Sequence, residues 1–445
     1  MGSIAPAVIP APEAPYFTPA NHDVGAALNP NDPSTPTLFR PLTIRGVTLK
    51  NRIAVSPMCM YSAESDPAAP DVGALTDYHL AHLGQFALKG AGLVFVEAQG
   101  VEPRGRISPN DAGLWQHDTD SAQFRSLQRV VHFCRSQGAH VGIQIAHAGR
   151  KASVTAPWVA RQAGRPSVRA EAAVGGWPDD VIGPSGGDKH RWDADGDYWT
   201  PRAATVEEIQ GIVRAFANSA ACGVRAGVEV VEIHAAHGYL LHQFLSPVTN
   251  RRTDDYGGSF ENRTRLLREV VANVRAAVPE QTAVFVRISA TEWLEGQPVE
   301  AEAGGSWDVA SSERLVPILA DLGVDLVDVS SGGNHRDQRI PHGSVSYQTD
   351  LAGRLRRTLQ AAGRSTRIGA VGFITGADQA RGLVEGSDEA ERAAATVAGA
   401  DPAADVVLLG RQFLREPEWV MLTAQRLGVK VGSPKQFWRA GGAFD

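Results

Sequence analysis

The chain has 445 residues, of which 43% are hydrophobic and 21% charged, and a formal net charge of −6. That length holds one large domain or two ordinary ones, and the composition is that of a water-soluble globular protein. The acidic balance gives no footprint for nucleic acid, and no run of about 18 apolar residues is present to span a membrane.

Three scattered cysteines, Cys59, Cys134 and Cys222, are too few for a disulfide framework or an iron–sulfur cluster, which points to a reducing, cytoplasmic compartment. Residues 1–36 are rich in Pro and Ala and lack the basic and apolar regions of a signal peptide, so they read as a flexible arm.

Beyond residue 37, short apolar runs recur at Arg52–Ser56, Gly92–Ala98, Val141–Ala146, Val228–Ile233, Ala283–Ser289, Val324–Ser330, Arg367–Gly372 and Asp405–Gly410. Most precede a segment with helical spacing. Thr205-Val-Glu-Glu208 is a capping-box pattern that starts one such helix, running to about Ala226. Eight alternating β/α units predict a (β/α)8 TIM barrel over 37–440 as a single domain, with 441–445 as a tail. A doubly wound sheet is the alternative, but no G-x-G-x-x-G or G-x-x-x-x-G-K-[ST] is present to favour it. Residues 151–204, rich in Trp, Gly and Pro, form an insertion after the third strand that reads as a lid or as disordered decoration, and 291–307 form a smaller one.

In such a barrel the chemistry sits at the carboxyl ends of the strands. The fourth run ends in His234, His237, Tyr239 and His242. Two imidazoles three residues apart can bind a metal or donate two N–H bonds to one oxygen that gains charge, and a nearby phenol can deliver a proton. Runs seven and eight end in Gly372 and Gly410-Arg411, where glycine backbone and an arginine can receive a phosphate. Gln144 and Arg287 suit a flat heterocycle with carbonyl and ring-nitrogen acceptors. A phosphate at one end and an electron-accepting ring in the middle suggest FMN, although a sugar-phosphate substrate would need similar groups.

Together Ser56-Pro-Met-Cys-Met-Tyr-Ser62, Gln144-Ile-Ala-His-Ala-Gly-Arg-Lys151, His234-Ala-Ala-His-Gly-Tyr239, Phe244-Leu-Ser-Pro247, Arg252-Thr-Asp-Asp-Tyr-Gly-Gly-Ser259, Glu261-Asn-Arg263 and Gly410-Arg411 resemble the Old Yellow Enzyme family of FMN-dependent ene-reductases, closest to its thermophilic-like branch. The resemblance covers about residues 37–440. It implies FMN, bound non-covalently, against Ser56, Pro57, Met58, Cys59, Ala98, Gln144 and Arg287, with its phosphate at Gly372, Gly410 and Arg411. It further implies NADPH as hydride donor and an α,β-unsaturated carbonyl or nitro compound as substrate. His234 and His237 would hold the substrate oxygen, Tyr239 would donate the proton, Tyr61 would be a second substrate contact, and Cys59 would tune the flavin. Arg439, in Gln436-Phe-Trp-Arg439, falls where the branch often closes its neighbour's site, so a homodimer or higher homo-oligomer is expected.

This chain departs from the branch in longer stretches at 151–204 and 386–404 and in residues 1–36. The alternatives are a flavin-dependent isomerase of secondary metabolism and a metal-dependent barrel hydrolase using His234, His237 and His242. No acidic residue with ligand spacing accompanies those histidines.

Overall fold

The eight apolar runs become the eight strands of one closed, all-parallel barrel in this computed structural model, which describes residues 11, 14, 16–193, 196–341, 343–386 and 401–440. The strands are β1 (Ile53–Val55), β2 (Leu93–Gly100), β3 (His140–Ala146), β4 (Val230–Ala235), β5 (Ala283–Ser289), β6 (Leu326–Ser330), β7 (Arg367–Val371) and β8 (Val406–Leu409). Each pairs with its sequence neighbour, and β8 closes onto β1. Helices α1 (Asp77–Leu88), α2 (Ala122–Ser136), α3 (Val206–Arg225), α4 (Phe260–Ala277), α5 (Val309–Asp321), α6 (Thr349–Ala361), α7 (Ala377–Glu385) and α8 (Trp419–Arg426) follow the strands in turn. The architecture is the expected (β/α)8 barrel. Strands covered by helices outside and side chains inside are buried on both faces, which is why they read as continuous apolar runs. At α3 the capping box closes reciprocally: Thr205 Oγ1 accepts from Glu208 N at 3.1 Å, and Glu208 Oε2 accepts from Thr205 N at 2.9 Å.

The barrel interior is layered. At the amino end a hairpin, Leu42–Ile44 against Val47–Leu49, plugs the barrel and packs on Phe95, Val230, Phe285 and Leu326. Nearer the carboxyl end the interior turns polar, with Gln144, Glu232, Arg287 and Asp328 all buried. In β2 the register against β3 jumps from Val96 to Gln99, so Glu97 and Ala98 form a bulge that re-aims the strand end.

Residues 151–204 are folded wherever they are described, neither free decoration nor a structureless loop. They contain a short helix, Pro157–Gln162, several 3-10 turns, and a two-stranded pair joining Ile182–Gly183 to Arg202–Ala203. Trp199 Nε1 donates to Ser153 O at 3.0 Å, and Arg150 Nη1 to His190 O at 3.0 Å, tying the insertion to the end of β3. Likewise 291–307 holds the helix Pro298–Ala303 and buries Trp307, stacked on Phe260.

The flexible arm expected at 1–36 needs correction for residues 16–36, which dock on the amino end of the barrel. Val24 bridges Gly432 and Ala27 bridges Val431. Buried Asn21 donates to Gln137 Oε1 and to Gln436 Oε1, both at 2.9 Å. The 441–445 tail and most of the longer stretch at 386–404 lie outside the described residues.

Candidate active site

Two cavities open at the carboxyl ends of the strands. The larger is a cleft of about 450 Å³ whose walls include Ser56, Pro57, Met58, His237 and Arg287 toward its inner end and Gly372, Gly410 and Arg411 toward the other. Eight of the residues expected from the sequence are thus brought into one elongated space. Gly372 has φ of +110°, and a Cβ there would come 2.8 Å from Gln348 Nε2, so glycine is required. Gln348 is itself fixed, donating to Val371 O at 2.8 Å and accepting from Ser331 Oγ at 2.9 Å. At Gly410 a Cβ would lie 3.3 Å from Met58 Sδ. These open backbones and the Arg411 guanidinium make an anion-receiving end.

The inner end is carried by β3 to β6. Arg287 Nη1 donates to Ser56 Oγ at 3.1 Å, while its Nε makes no hydrogen bond within the protein. Gln144 Nε2 donates to Glu232 Oε1 at 2.7 Å. A permanent cation and a fixed amide under an open cleft suit a flat ring bearing carbonyls, so the residues present fit FMN with its phosphate toward β7 and β8.

Above them, at the end of β4, the chain turns sharply. His237 has φ of +59° and its N–H donates to Ser289 Oγ at 2.9 Å. Gly238, with φ of +73°, passes so close to Gly333 that a Cβ would strike the carbonyl at 2.2 Å. Lys151 Nζ staples these loops, donating to His237 O at 2.9 Å and Gly333 O at 3.1 Å. The result places the His234 and His237 rings 5.1 Å apart, with His237 Nδ1 3.4 Å from His234 Nε2, and sets Tyr239 edge-on to His234 at 5.0 Å. His237 Nε2 is 2.6 Å from Ser330 Oγ, and His234 Nδ1 is buried without a partner.

Burial, reinforced by the Arg287 charge, holds both imidazoles well below the usual histidine range, so they are neutral. Burial also pushes the Tyr239 phenol well above its ordinary value, with Tyr61 and Cys59 adding to the effect. The Cys59 thiol is pushed up in the same way, by burial and then by Asp111 and Glu97, so it is a protonated thiol at neutral pH. Tyr61, at φ of +52°, rests its ring against Trp158 of the insertion at 5.8 Å. Trp192, from the same insertion, donates to Gly333 O at 3.2 Å and packs on Tyr198.

Ala98 lies apart from the large cleft, in a small cavity of about 10 Å³ shared with Asp111 and Tyr239. His242 turns away from its two neighbours: it accepts from Gly238 N at 2.9 Å and faces Glu292 at 3.5 Å. Among the described residues no group of three His, Cys, Asp or Glu is placed to hold a metal ion. Arg439 is exposed in the 3-10 turn Lys435–Ala440, beside Asn21 and the carboxyl end of α2, at the opposite end of the barrel from this chain's own cleft. Glu232, Asp328, Ser330, Lys151 and Gln348 escape the sequence reading. The two acids leave one trace, a charge inside an otherwise apolar strand.

Residues 37–428 match the family model described as NADH:flavin oxidoreductase / NADH oxidase. A NADH:flavin oxidoreductase of Gibberella zeae is 41% identical over 96% of this chain and 94% of its own length. The NADPH dehydrogenase of Geobacillus thermodenitrificans is 38% identical over 90% and 98%. Among solved structures, morphinone reductase superposes with a TM-score of 0.61 at 25% identity, covering 90% of this chain and 92% of that one.

Proposed function

Because the chain belongs to the NADH:flavin oxidoreductase / NADH oxidase family, the Old Yellow Enzyme family of FMN-dependent NAD(P)H oxidoreductases, we propose that it reduces the activated C=C bond of α,β-unsaturated carbonyl or nitro compounds. FMN, held without a covalent link, would supply the hydride chemistry between NAD(P)H and the second substrate. What remains is to hold the acceptor and handle its charge and proton.

One observation carries this reading: two neutral imidazoles and a protonated phenol converge at the end of β4, beside the inner end of the cleft. In the tautomer in which the Ser330 hydroxyl donates to His237 Nε2, the His237 Nδ1–H faces His234, and a carbonyl oxygen between the rings would displace the long 3.4 Å contact. Two N–H donors there stabilise the negative charge that grows on oxygen as hydride reaches the β-carbon. As neutral rings the two imidazoles act as hydrogen-bond donors and leave proton delivery to another group. Tyr239, kept protonated by its surroundings, then donates to the α-carbon. Tyr61 and the Trp158 and Trp192 rings of the insertion bound the acceptor from above.

A homodimer is part of the proposal. Arg439 cannot serve its own cleft from the far end of the barrel, and Trp438 and Phe437 beside it are exposed apolar surface suited to a second copy of the chain.

Anaerobic spectroscopy tests the reading. NADPH is expected to bleach the flavin band and 2-cyclohexenone to restore it; bleaching without recovery on enone addition rejects the substrate class. Removing both ring donors, His234→Ala with His237→Ala, is expected to slow recovery by about 10²-fold or more and to abolish the spectral response to phenol, with FMN retained.

A further inference from the structure

Below the rim of the barrel, side chains from four consecutive strands meet: Gln144 of β3, Glu232 of β4, Arg287 of β5 and Asp328 of β6. Arg287 Nε lies 3.2 Å from Asp328 Oδ2, and Gln144 holds Glu232 Oε1. Glu232 Oε2 and both oxygens of Asp328 are buried and accept no hydrogen bond. One guanidinium therefore faces two carboxyl groups, three of whose four oxygens have no hydrogen-bond partner.

Among the described residues the surroundings supply no second cation. From beneath, Phe95, Phe285, Val230 and Leu326 close the barrel. Glu97 of β2 is turned to His79 at 3.3 Å and to the Met60 N–H, and Arg367 of β7 is paired with Asp405. His234 of β4, above, is neutral. The charged groups that act on the pair are Arg287 and the two carboxyls themselves.

Two carboxylates in one dry site cannot both stay ionised beside a single cation, and burial moves both acids toward their protonated forms. In the resting state the cluster then holds one proton and is neutral: a guanidinium, a carboxylate and a carboxylic acid. Hydride transfer to a flavin held in the cleft would add two electrons and one proton, and so one net negative charge, near the remaining carboxylate.

We propose that Glu232 and Asp328 form a proton-accepting pair beneath the flavin, taking up one proton when the cofactor is reduced and releasing it on reoxidation. The proton comes from solvent through the cleft, which reaches Ser56, Arg287 and Ser330. It binds a carboxylate oxygen, and no group other than nicotinamide and flavin changes oxidation state. The inference rests on the proposed function and on the flavin ring lying over Arg287, where the cleft fits it.

Reduced-minus-oxidised infrared difference spectra of the FMN-loaded protein test this directly. The wild type is expected to gain a carboxylic-acid C=O band on reduction, shifted in heavy water and lost in the double variant Glu232→Gln with Asp328→Asn, which has no carboxylate left to protonate. Its midpoint potential should fall by about 60 mV per pH unit near neutrality, since each proton adds about 30 mV per unit to a two-electron couple; the double variant should fall by about 30 mV. A wild type with no such band overturns the proposal even if the double variant does not fold, and so does an unchanged slope in that variant. Should Arg287→Ala leave FMN affinity and spectrum unaltered, the ring placement fails instead.

Discussion

Asp111 shows how far burial can move a single side chain. Its Oδ1 has no partner and its Oδ2 accepts from Ser108 N, and desolvation, aided by Glu97, pushes the carboxyl up to about 7. A carboxyl raised above its unfolded value of about 3.9 contributes stability that is fully present below pH ~4 and is lost as the pH climbs through 7. Asp111→Asn, which keeps the shape and never ionises, is expected to flatten that decline. Urea unfolding at pH 4.5 and pH 8 measures it: a wild-type stability that does not fall between these values, relative to the variant, contradicts the assignment. At this scale the site was half legible. His234, His237, Tyr239, Gln144 and Arg287 stand out as polar groups at the ends of apolar runs. Glu232 and Asp328 do not, because they sit further down the same strands, where local pattern gives no sign that a carboxyl faces the interior.

Among the elements, the barrel strands were readable because two-sided burial demands unbroken apolar runs, and α3 because its cap is written in four residues. The insertion at 151–204 was not readable. Its order comes from dispersed contacts, such as Trp199 with Ser153 and Arg150 with His190, which leave no periodicity. The loops after β7 and β8 carry a sharper expectation. Gly372→Ala must adopt a left-handed φ and press on a Gln348 held at both ends, whereas Gly410→Ala keeps a negative φ of −104°, with ψ of −93°, and meets only the flexible end of Met58. Strain on the order of 1–2 kcal/mol at Gly372 predicts roughly tenfold or greater loss of FMN affinity there, and little at Gly410. Fluorescence titration of apoprotein with FMN decides between them; equal losses would remove the backbone argument.

For the molecule as a whole, the amino-terminal segment, α2 and the carboxyl-terminal turn are joined through buried Asn21, far from the cleft. Composition alone suggested a free arm, since Pro- and Ala-rich sequence carries no mark of the partner it docks on. That docking holds the exposed turn with Arg439 at one end of the barrel, where the proposed dimer would use it. Arg439→Ala is therefore expected to raise KM for enone or NADPH without altering FMN content, and sedimentation should show a dimer; a monomeric wild type with unchanged variant kinetics would reject the shared site.

The layered barrel interior has a consequence for supply in the cell. Its lower half is ordinary oily core, but its upper half holds a buried guanidinium and two carboxyl groups directly below the cleft that fits FMN. FMN is then a structural member as well as a reagent, and the folded population follows mass action: stability rises by about 1.4 kcal/mol for each tenfold excess of free FMN over its dissociation constant. Flavin scarcity would thin the stock of intact enzyme before it limited the rate of any one molecule.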